Sequence, residues 1–332
     1  MRILVAGGAG FIGSHFIRHL LQTHSDYRVV NLDKLTYAGN PANLADVAGD
    51  PRYTFVHGDI CDGVLVRDVM SGCDAVANLA AESHVDRSIH DAGDFIRTDV
   101  LGTWVLLEAA RAHRVARFLQ VSTDEVYGSI GQGAFRESDP LNPSSPYAAS
   151  KAAGDHLVLS YFKTHRMPVL VTRASNNYGP NQYPEKIIPL FITNAIDDEP
   201  LPLYGDGRHV RDWLYVMDHC AALDRVFHGG TEGEVYNIGG GHEVENIVLT
   251  RRILALLGKP EALIRPVVDR PGHDRRYAVD ATRLRALGWA PRHEFEEGLA
   301  TTVAWYRAHE EWWRPLKSGE FLAHDRRQAG QR

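Results

Sequence analysis

Residues 2–13 read RILVAGGAGFIG, a short apolar run that leads directly into a glycine-rich turn. After the turn, Phe16, Ile17, Leu20 and Leu21 recur at the spacing of one helix face. Strand, glycine turn and helix in this order are typical of a unit that binds a dinucleotide pyrophosphate. Glycines allow close approach to phosphate oxygens, and the start of the helix offers unpaired N–H groups. The residues predicted to contact the cofactor here are Gly7, Gly10, Phe11, Ile12 and Gly13.

The acidic residue after the next apolar run indicates which dinucleotide binds. Val29, Val30 and Leu32 predict a second strand that ends at Asp33. A carboxylate about twenty residues beyond the glycines can accept hydrogen bonds from both ribose hydroxyls of NAD. A 2′-phosphate would be repelled by the same charge, so the sequence predicts NAD rather than NADP.

Two further strands are predicted through residues 53–57 and 74–79. The carboxyl ends of parallel strands face the ligand cleft in folds of this kind. We expect Asp59 and Ile60 to flank the adenine, and Ala80 and Ala81 to let the cofactor pass closely.

Tyr147 and Lys151 form a candidate redox pair. Ser145 and Pro146 precede them as a helix-start signal, which places the pair one turn apart on one helix face. A free phenol has a pKa of about 10, and a nearby ammonium favours the phenolate. We therefore expect Lys151 to lower the pKa of Tyr147, so that the tyrosine takes a proton from a sugar hydroxyl while hydride leaves its carbon. The same spacing also occurs in ordinary amphipathic helices.

Asp124 and Glu125 follow Thr123 at the end of a predicted strand over residues 118–121. Neighbouring side chains of a regular strand face opposite ways, so both carboxyls reach one substrate only if the strand breaks into a loop here. The alternative is a solvated acidic turn.

Composition limits the class of protein. The 332 residues are 44% hydrophobic and 23% charged, as in ordinary soluble globular proteins, and no apolar run is long enough for a membrane span. A net charge of −6 without a basic stripe argues against nucleic acid as a partner. The three cysteines show no pairing, the histidines form no zinc pattern, and we expect no signal peptide. These features predict a cytoplasmic protein with no metal ion and no membrane partner.

Four sequence strings together carry a resemblance to a known family. The glycines at 7, 10 and 13, with Tyr147 and Lys151, are similar to the extended short-chain dehydrogenase/reductase superfamily. The strings LTYAGN at 35–40 and AAESHVDRS at 80–88 narrow this and resemble the dTDP-glucose 4,6-dehydratases. The resemblance covers nearly the whole chain except its last dozen or so residues. UDP-galactose 4-epimerases share the glycines and the Tyr/Lys pair but lack the two longer strings.

The resemblance implies a reaction in which NAD oxidises C4 of dTDP-glucose, water leaves from C5 and C6, and the hydride returns to C6. It assigns Glu125 as the base for the C5 proton, Asp124 as the acid for the C6 hydroxyl, and Thr123 as the group that orients the substrate. Asp124 must be protonated to act as an acid, and burial beside a second carboxylate raises one pKa. An epimerase needs neither carboxyl.

The resemblance also implies most of the binding residues. Those assigned to NAD in addition to the glycine-turn, strand-end and Tyr/Lys residues are Lys34, Thr36, Ser122 and Asn177. Those assigned to the nucleotide sugar are Ser83, Thr123, Asn176, Lys186, Pro202, Tyr204, Arg211, Asn237, Arg270 and His273. Asp99 and Asn78 depart from the family pattern, which has asparagine and histidine there, and we expect Asp99 to tune activity rather than abolish it. Thymidine and uridine nucleotides are not distinguished by these residues.

The implied fold is α/β, a doubly wound parallel Rossmann sheet with a smaller α/β C-terminal substrate domain. The predicted boundaries are 1–175 for NAD binding, with segments near 213–238 returning to it, and 176–320 for the nucleotide sugar, followed by a frayed tail over 321–332. A homodimer through helices near 91–112 and 146–165 is implied as well. The alternatives are a UDP-sugar 4-epimerase or related nucleotide-sugar enzyme and a non-catalytic NAD-binding sensor.

Overall fold

A central parallel sheet organises the fold. The structure, a computed structural model, describes residues 1–318, so the tail expected over 321–332 lies outside the described residues. The strands are β1 (Arg2–Ala6), β2 (Arg28–Asp33), β3 (Tyr53–His57), β4 (Ala75–Asn78), β5 (Arg117–Thr123), β6 (Val169–Ala174), β7 (Asn176–Tyr178), β8 (Leu201–Tyr204), β9 (Val210–Tyr215), β10 (Val235–Ile238), β11 (Glu243–Glu245) and β12 (Ile264–Val267). Seven of them form the central sheet in the order β10-β6-β5-β4-β1-β2-β3, with every neighbouring pair parallel. The order runs outward both ways from β1 and β4, which confirms the predicted doubly wound α/β fold.

Helices cover both faces of this sheet, as a buried parallel sheet requires. They are α1 (Phe11–Thr23), α2 (Gly63–Met70), α3 (Val85–His90), α4 (Gly93–Phe95), α5 (Thr103–His113), α6 (Pro146–His165), α7 (Ile187–Ile196), α8 (Val216–Gly229), α9 (Asn246–Leu257), α10 (Thr282–Ala286), α11 (Phe295–Ala308) and α12 (Glu310–Lys317). Phe16 of α1 packs with Leu223 of α8 in the core on one face. Val66 of α2, Leu106 of α5 and Val158 of α6 belong to the core on the other face.

The helix predicted near 91–112 is divided into three parts. Between α4 and α5, residues Ile96–Gly102 form a π-helix that contains the buried Asp99. Gly102 lies so close to Ile60 that a Cβ there would stand 2.4 Å from its Cδ1. Hydrophobic spacing indicates a helix but not its winding, so the sequence did not show this widened turn.

The second half of the chain builds two smaller sheets. One has the order β11-β9-β7 and the other pairs β12 with β8. Trp213 and Phe191 lie in a separate hydrophobic core that also includes Leu299. The strand predicted at 235–238 is β10, which joins the central sheet beside β6. The prediction that residues 213–216 return to that sheet is wrong, since residues 213–215 end β9, which pairs with β7 and β11 instead.

Within residues 1–318, no helix combines the length and the apolar character needed to cross a membrane.

Candidate active site

A cleft of about 340 Å³ opens at the carboxyl edge of the central sheet. All the residues predicted to bind NAD line it, and so do the five predicted catalytic residues. Of the predicted substrate-binding residues, Ser83, Thr123, Asn176 and Lys186 line it as well. Residues predicted to bind NAD and residues predicted to act on the substrate thus line the same cavity, although they are distant in sequence.

The glycine turn after β1 has no space for side chains. Gly7 has a φ of +78°, and a Cβ there would lie 2.6 Å from the amide nitrogen of Ala80. A Cβ on Gly13 would lie 2.1 Å from the carbonyl oxygen of Gly7. Helix α1 starts after Gly10, which has no side chain to cap it, so its first N–H groups are left to bind an anion. The turn therefore fits the pyrophosphate of a dinucleotide.

Asp33 lies at the end of β2, where the ribose of the cofactor is expected. Its two carboxylate oxygens accept N–H hydrogen bonds from Ala9 and Leu35, each at 2.8 Å. Burial raises the pKa of Asp33, and these two bonds oppose the shift. Lys34 is paired with Asp59 at 2.9 Å on the neighbouring strand end. This arrangement presents a fixed carboxylate to the ribose hydroxyls, which fits NAD.

Tyr147 and Lys151 lie on α6 as predicted. The helix begins at Pro146, and the Ser145 side chain caps it by accepting from the amide of Ala148 at 3.1 Å. Lys151 is buried and donates to the carbonyl oxygen of Val121 at 2.9 Å. The lysine therefore ties the helix to the end of β5 at the point where the catalytic residues follow.

The phenol of Tyr147 does not have the lowered pKa that the sequence predicts. Burial, followed by the charges of Glu125 and Asp99, raises the pKa of Tyr147 well above its usual range, and a hydrogen bond with Thr123 opposes the shift. The prediction considered only Lys151, whereas the fold also buries the phenol and brings acidic groups to it from the turn after β5 and from the π-helix. Tyr147 is consequently a neutral phenol in this structure.

The strand break required for two neighbouring carboxyls is present. Strand β5 ends at Thr123, and Asp124–Tyr127 form a 3-10 turn. The Thr123 hydroxyl caps the turn by accepting from the amide of Glu125 at 3.3 Å, and it lies 3.3 Å from Oδ1 of Asp124. Both carboxyls line the cleft, so the alternative of a solvated acidic turn is wrong.

The two carboxyls differ in their electrostatic surroundings. Burial and then the charge of Glu125 raise the pKa of Asp124 well above its usual value, and its Oδ2 atom has no hydrogen-bond partner among residues 1–318. Burial raises the pKa of Glu125 too, but Arg270, Arg211 and Lys186 oppose that shift. The surroundings of Asp124 therefore favour its protonated form, while nearby cations favour the ionised form of Glu125.

Six predicted substrate residues lie outside the cleft lining: Pro202, Tyr204, Arg211, Asn237, Arg270 and His273. Tyr204 and Arg270 both donate to Asp86, at 3.0 and 3.2 Å. His273 is bonded to Asp269 at 2.6 Å. Arg211 donates to the carbonyl oxygen of Asp274 at 3.0 Å. Arg211 and Arg270 are near enough to Glu125 for their charges to oppose the rise in its pKa. In this structure, however, the polar side chains of the set are hydrogen-bonded to other protein groups.

The structure contradicts the predicted substrate contact of Asn237. Its side chain is completely buried, donates to the carbonyl oxygen of Phe135 at 3.0 Å and accepts from the Tyr127 hydroxyl at 2.8 Å. Strand β10 is an edge strand of the central sheet, and Asn237 bonds there to groups that do not line the cleft. Asn237 is therefore a structural residue.

His219 and Glu82 line the cleft but were not predicted. His219 Nδ1 lies 2.8 Å from Oδ1 of Asn177, and burial lowers its pKa to about 3, so the ring is neutral. The Asn177 amide donates to the Ser175 carbonyl, which makes its oxygen the acceptor for an Nδ1–H group. His219 thereby fixes the orientation of the Asn177 side chain. Glu82 could have been predicted only because it belongs to the string at 80–88. No local sequence pattern indicated that His219 would line the cleft.

Asp99 gives the site a pH-dependent stability. One carboxylate oxygen accepts from the Ser150 hydroxyl at 2.7 Å, and the other has no partner in the described part of the chain. Burial raises the pKa of Asp99 to about 6 from an ordinary value of 3.8, although Lys151 and Ser150 oppose the shift. The folded state therefore holds the proton more tightly than the unfolded state, and the associated stability is lost as the pH rises through about 6.

The Asp99→Asn variant is expected to remove this loss of folding stability at higher pH. Each tenfold change in acidity is worth ~1.4 kcal/mol, so the variant should gain up to about 3 kcal/mol relative to the parent above the folded pKa. Well below pH 3.8 the gain should vanish, because both states of the parent are then protonated. Melting temperatures of the two proteins at acidic and alkaline pH measure this difference, and a constant offset at all pH values would contradict it.

Comparisons with known proteins agree with the geometry. The family model described as GDP-mannose 4,6 dehydratase matches residues 4–302. The chain is 55% identical over 323 residues to a dTDP-glucose 4,6-dehydratase of Streptomyces niveus, covering 96% of each chain. A crystal structure of DesIV, a dTDP-glucose 4,6-dehydratase from Streptomyces venezuelae with NAD and TYD bound, is 53% identical, has a TM-score of 0.94, and is matched over 95% of this chain and 100% of that one. A Thermus thermophilus UDP-glucose 4-epimerase in complex with NAD is 32% identical with a TM-score of 0.86, over 93% of this chain and 100% of the other.

Proposed function

The chain belongs to the dTDP-glucose 4,6-dehydratase family, and we propose that it converts dTDP-glucose to dTDP-4-keto-6-deoxyglucose with NAD regenerated in each turnover. The observation that supports this most directly is the pair Asp124 and Glu125 in one cleft with Tyr147. A 4-epimerase only oxidises and reduces C4, so it has no use for an acid and a base at C5 and C6. The same residues argue against a non-catalytic NAD sensor.

Each step of the reaction has a candidate residue. NAD, when bound, would supply the hydride acceptor for C4 and the hydride that C6 receives. Tyr147 accepts the proton of the C4 hydroxyl, and Thr123 orients that hydroxyl beside it. Glu125 then removes the C5 proton, which the C4 ketone has made acidic, while Asp124 donates its proton to the C6 hydroxyl that leaves as water.

Tyr147 can accept the proton of the C4 hydroxyl only as a phenolate, so its pKa must fall when the cofactor binds. In this structure burial, and then the charges of Glu125 and Asp99, raise that pKa. A cationic nicotinamide would offset those charges and lower the pKa of the phenol. Lys151 is buried one helical turn away, and its ammonium would then favour the phenolate as well.

The nucleotide part of the substrate is proposed to lie beyond Glu125, on the segment from 176 to 320. Lys186 is partly buried, donates to the carbonyl oxygen of Ser83, and lines the cleft together with Asn176. These two residues suit a diphosphate. Pro202, Tyr204, Arg211, Arg270 and His273 are proposed to bind the base, ribose and diphosphate. For Tyr204 and Arg270, that binding would replace their bonds to Asp86.

The domain boundaries, dimer and location are proposed on the same basis. Residues 1–175 and 176–320 are assigned to NAD and to the nucleotide sugar, respectively. Ile96, Leu101 and Trp104 are 57%, 39% and 45% exposed. With Leu157 of α6 they line a shallow apolar cavity, which supports a homodimer through these helices. Free cysteines at the three cysteine positions are consistent with the cytoplasm.

Isotope transfer tests the proposed reaction. With dTDP-glucose carrying deuterium at C4, the label should appear on C6 of the same product molecule, because the hydride leaves C4 and returns two carbons away. Mass spectrometry and proton NMR of the product locate the label, and a mixture with unlabelled substrate shows whether transfer stays within one molecule. Formation of the C4 epimer with deuterium still at C4 would support the epimerase instead, and loss of the label to solvent would contradict both.

A further inference from the structure

Three histidines and one aspartate form a second polar cluster, the α1–α8 cluster. His19 and His24 come from the last turns and the C-cap of α1, and Asp224 and His228 come from α8. None of them lines the cleft, and the proposed reaction uses none of them. The two halves are about 200 residues apart in the sequence.

The side chains of the cluster converge on one point. Oδ1 of Asp224 lies 3.0 Å from Nε2 of His24 and 3.0 Å from Nδ1 of His228. Its Oδ2 lies 3.3 Å from Nε2 of His19. The donor atoms of His24, Asp224 and His228 all lie within 4.8 Å of one another. Ligands about 2.0–2.1 Å from a tetrahedral zinc ion are roughly 3.3–3.4 Å apart, so small adjustments would complete such a site.

Tyr27 supplies an outer partner for one of these ligands. Its hydroxyl lies 2.6 Å from Nε2 of His228, and its ring stacks on His24 with centroids 4.2 Å apart. Nδ1 of His228 also lies 2.8 Å from the carbonyl oxygen of Asp224. A metal ion at Nδ1 would therefore replace the proton of an Nδ1–H group that donates to this carbonyl. Nε2–H would then donate to the Tyr27 hydroxyl, in the way that metal-bound histidines usually bond to a second group.

We propose that His24, Asp224 and His228 bind a zinc ion, with His19 or water as the fourth ligand. Imidazole nitrogens and one carboxylate are a typical donor set for zinc. The side chains are 16% to 35% exposed, so an ion can enter from solvent. The ion would link the end of α1 to α8 and stabilise the packing of these two helices without taking part in the reaction.

The alternative is the cluster of His209, Asp269 and His273, whose donor atoms also lie within 4.8 Å of one another. The two imidazole rings are stacked 3.7 Å apart with an angle of 12° between their planes. The lone pairs of stacked rings point in parallel directions rather than toward one ion. The α1–α8 cluster is therefore the better zinc site.

Calorimetric titration of the tag-free, chelator-treated full-length protein with zinc chloride tests the proposal. We expect one zinc ion per chain and a higher melting temperature in the presence of zinc. His24→Gln and Asp224→Asn should each weaken zinc binding by at least about 10-fold, and Tyr27→Phe by about 10- to 100-fold. His113→Gln, which removes an exposed histidine of α5, is the matched control and should bind zinc like the parent.

Circular dichroism and NAD binding show whether each variant is folded, and the parent titration is informative without any variant. Absence of zinc binding by the parent protein in excess zinc would overturn the proposal. So would binding that persists in both His24→Gln and Asp224→Asn, or that is lost in His273→Gln, since the ion would then lie elsewhere. Dehydration of dTDP-glucose is measured separately and should be unchanged by chelation.

Discussion

The Glu125→Gln variant should accumulate NADH when it is mixed with dTDP-glucose, while net product formation falls by about 10²- to 10⁴-fold. Glutamine keeps the shape of the side chain but has no basic oxygen for the C5 proton. Oxidation at C4 depends on Tyr147, which the substitution leaves in place. A single-turnover experiment that follows the absorbance of reduced nicotinamide beside a product assay measures both effects.

Glu108→Gln is the matched control for this variant. Glu108 is paired with Arg111 and accepts from the Tyr161 hydroxyl, and it does not line the cleft. Its substitution should leave both the NADH transient and the product rate at parental values. Parental turnover by Glu125→Gln would show that another group removes the C5 proton.

The Tyr147→Phe variant should lose NADH formation and product formation together, again by about 10²- to 10⁴-fold. Without the phenol hydroxyl of Tyr147, the proton of the sugar's C4 hydroxyl has no acceptor beside Thr123. Oxidation at C4, the first step, therefore stops. NAD should still bind, because the glycine turn and Asp33 are untouched. The two variants therefore block the reaction at different steps, and only Glu125→Gln should accumulate NADH.

Tyr161→Phe provides the comparison on the same helix. Tyr161 is bonded to Glu108 and lies outside the cleft, so its loss should affect stability slightly and the reaction not at all. Rapid NADH formation by Tyr147→Phe would show that the phenol is not the base for the C4 hydroxyl.

Features set by local sequence were predicted correctly. The glycine turn depends on backbone space within a few residues, and Asp33 follows directly from the end of its strand. The break after Thr123 could also be anticipated, since two neighbouring carboxyls cannot face one ligand from a regular strand. Tyr147 and Lys151 needed only the spacing of one helical turn.

Features set by distant parts of the chain were not predicted. The pKa of Tyr147 is raised by burial and then by the charges of Glu125 and Asp99, which come from other elements. Asn237 is engaged by Phe135 and Tyr127, about 100 residues earlier, and no local pattern records this. The histidines of the α1–α8 cluster show no metal spacing because the fold, rather than their order in the chain, brings them together.

The break at the end of β5 has a mechanical consequence. Thr123, Asp124 and Glu125 are consecutive and are held by one capping hydroxyl, so any shift of that turn during the cycle carries all three together. Tyr147 lies on α6 instead, so a displacement of the turn would change the distances from Tyr147 to all three side chains at once.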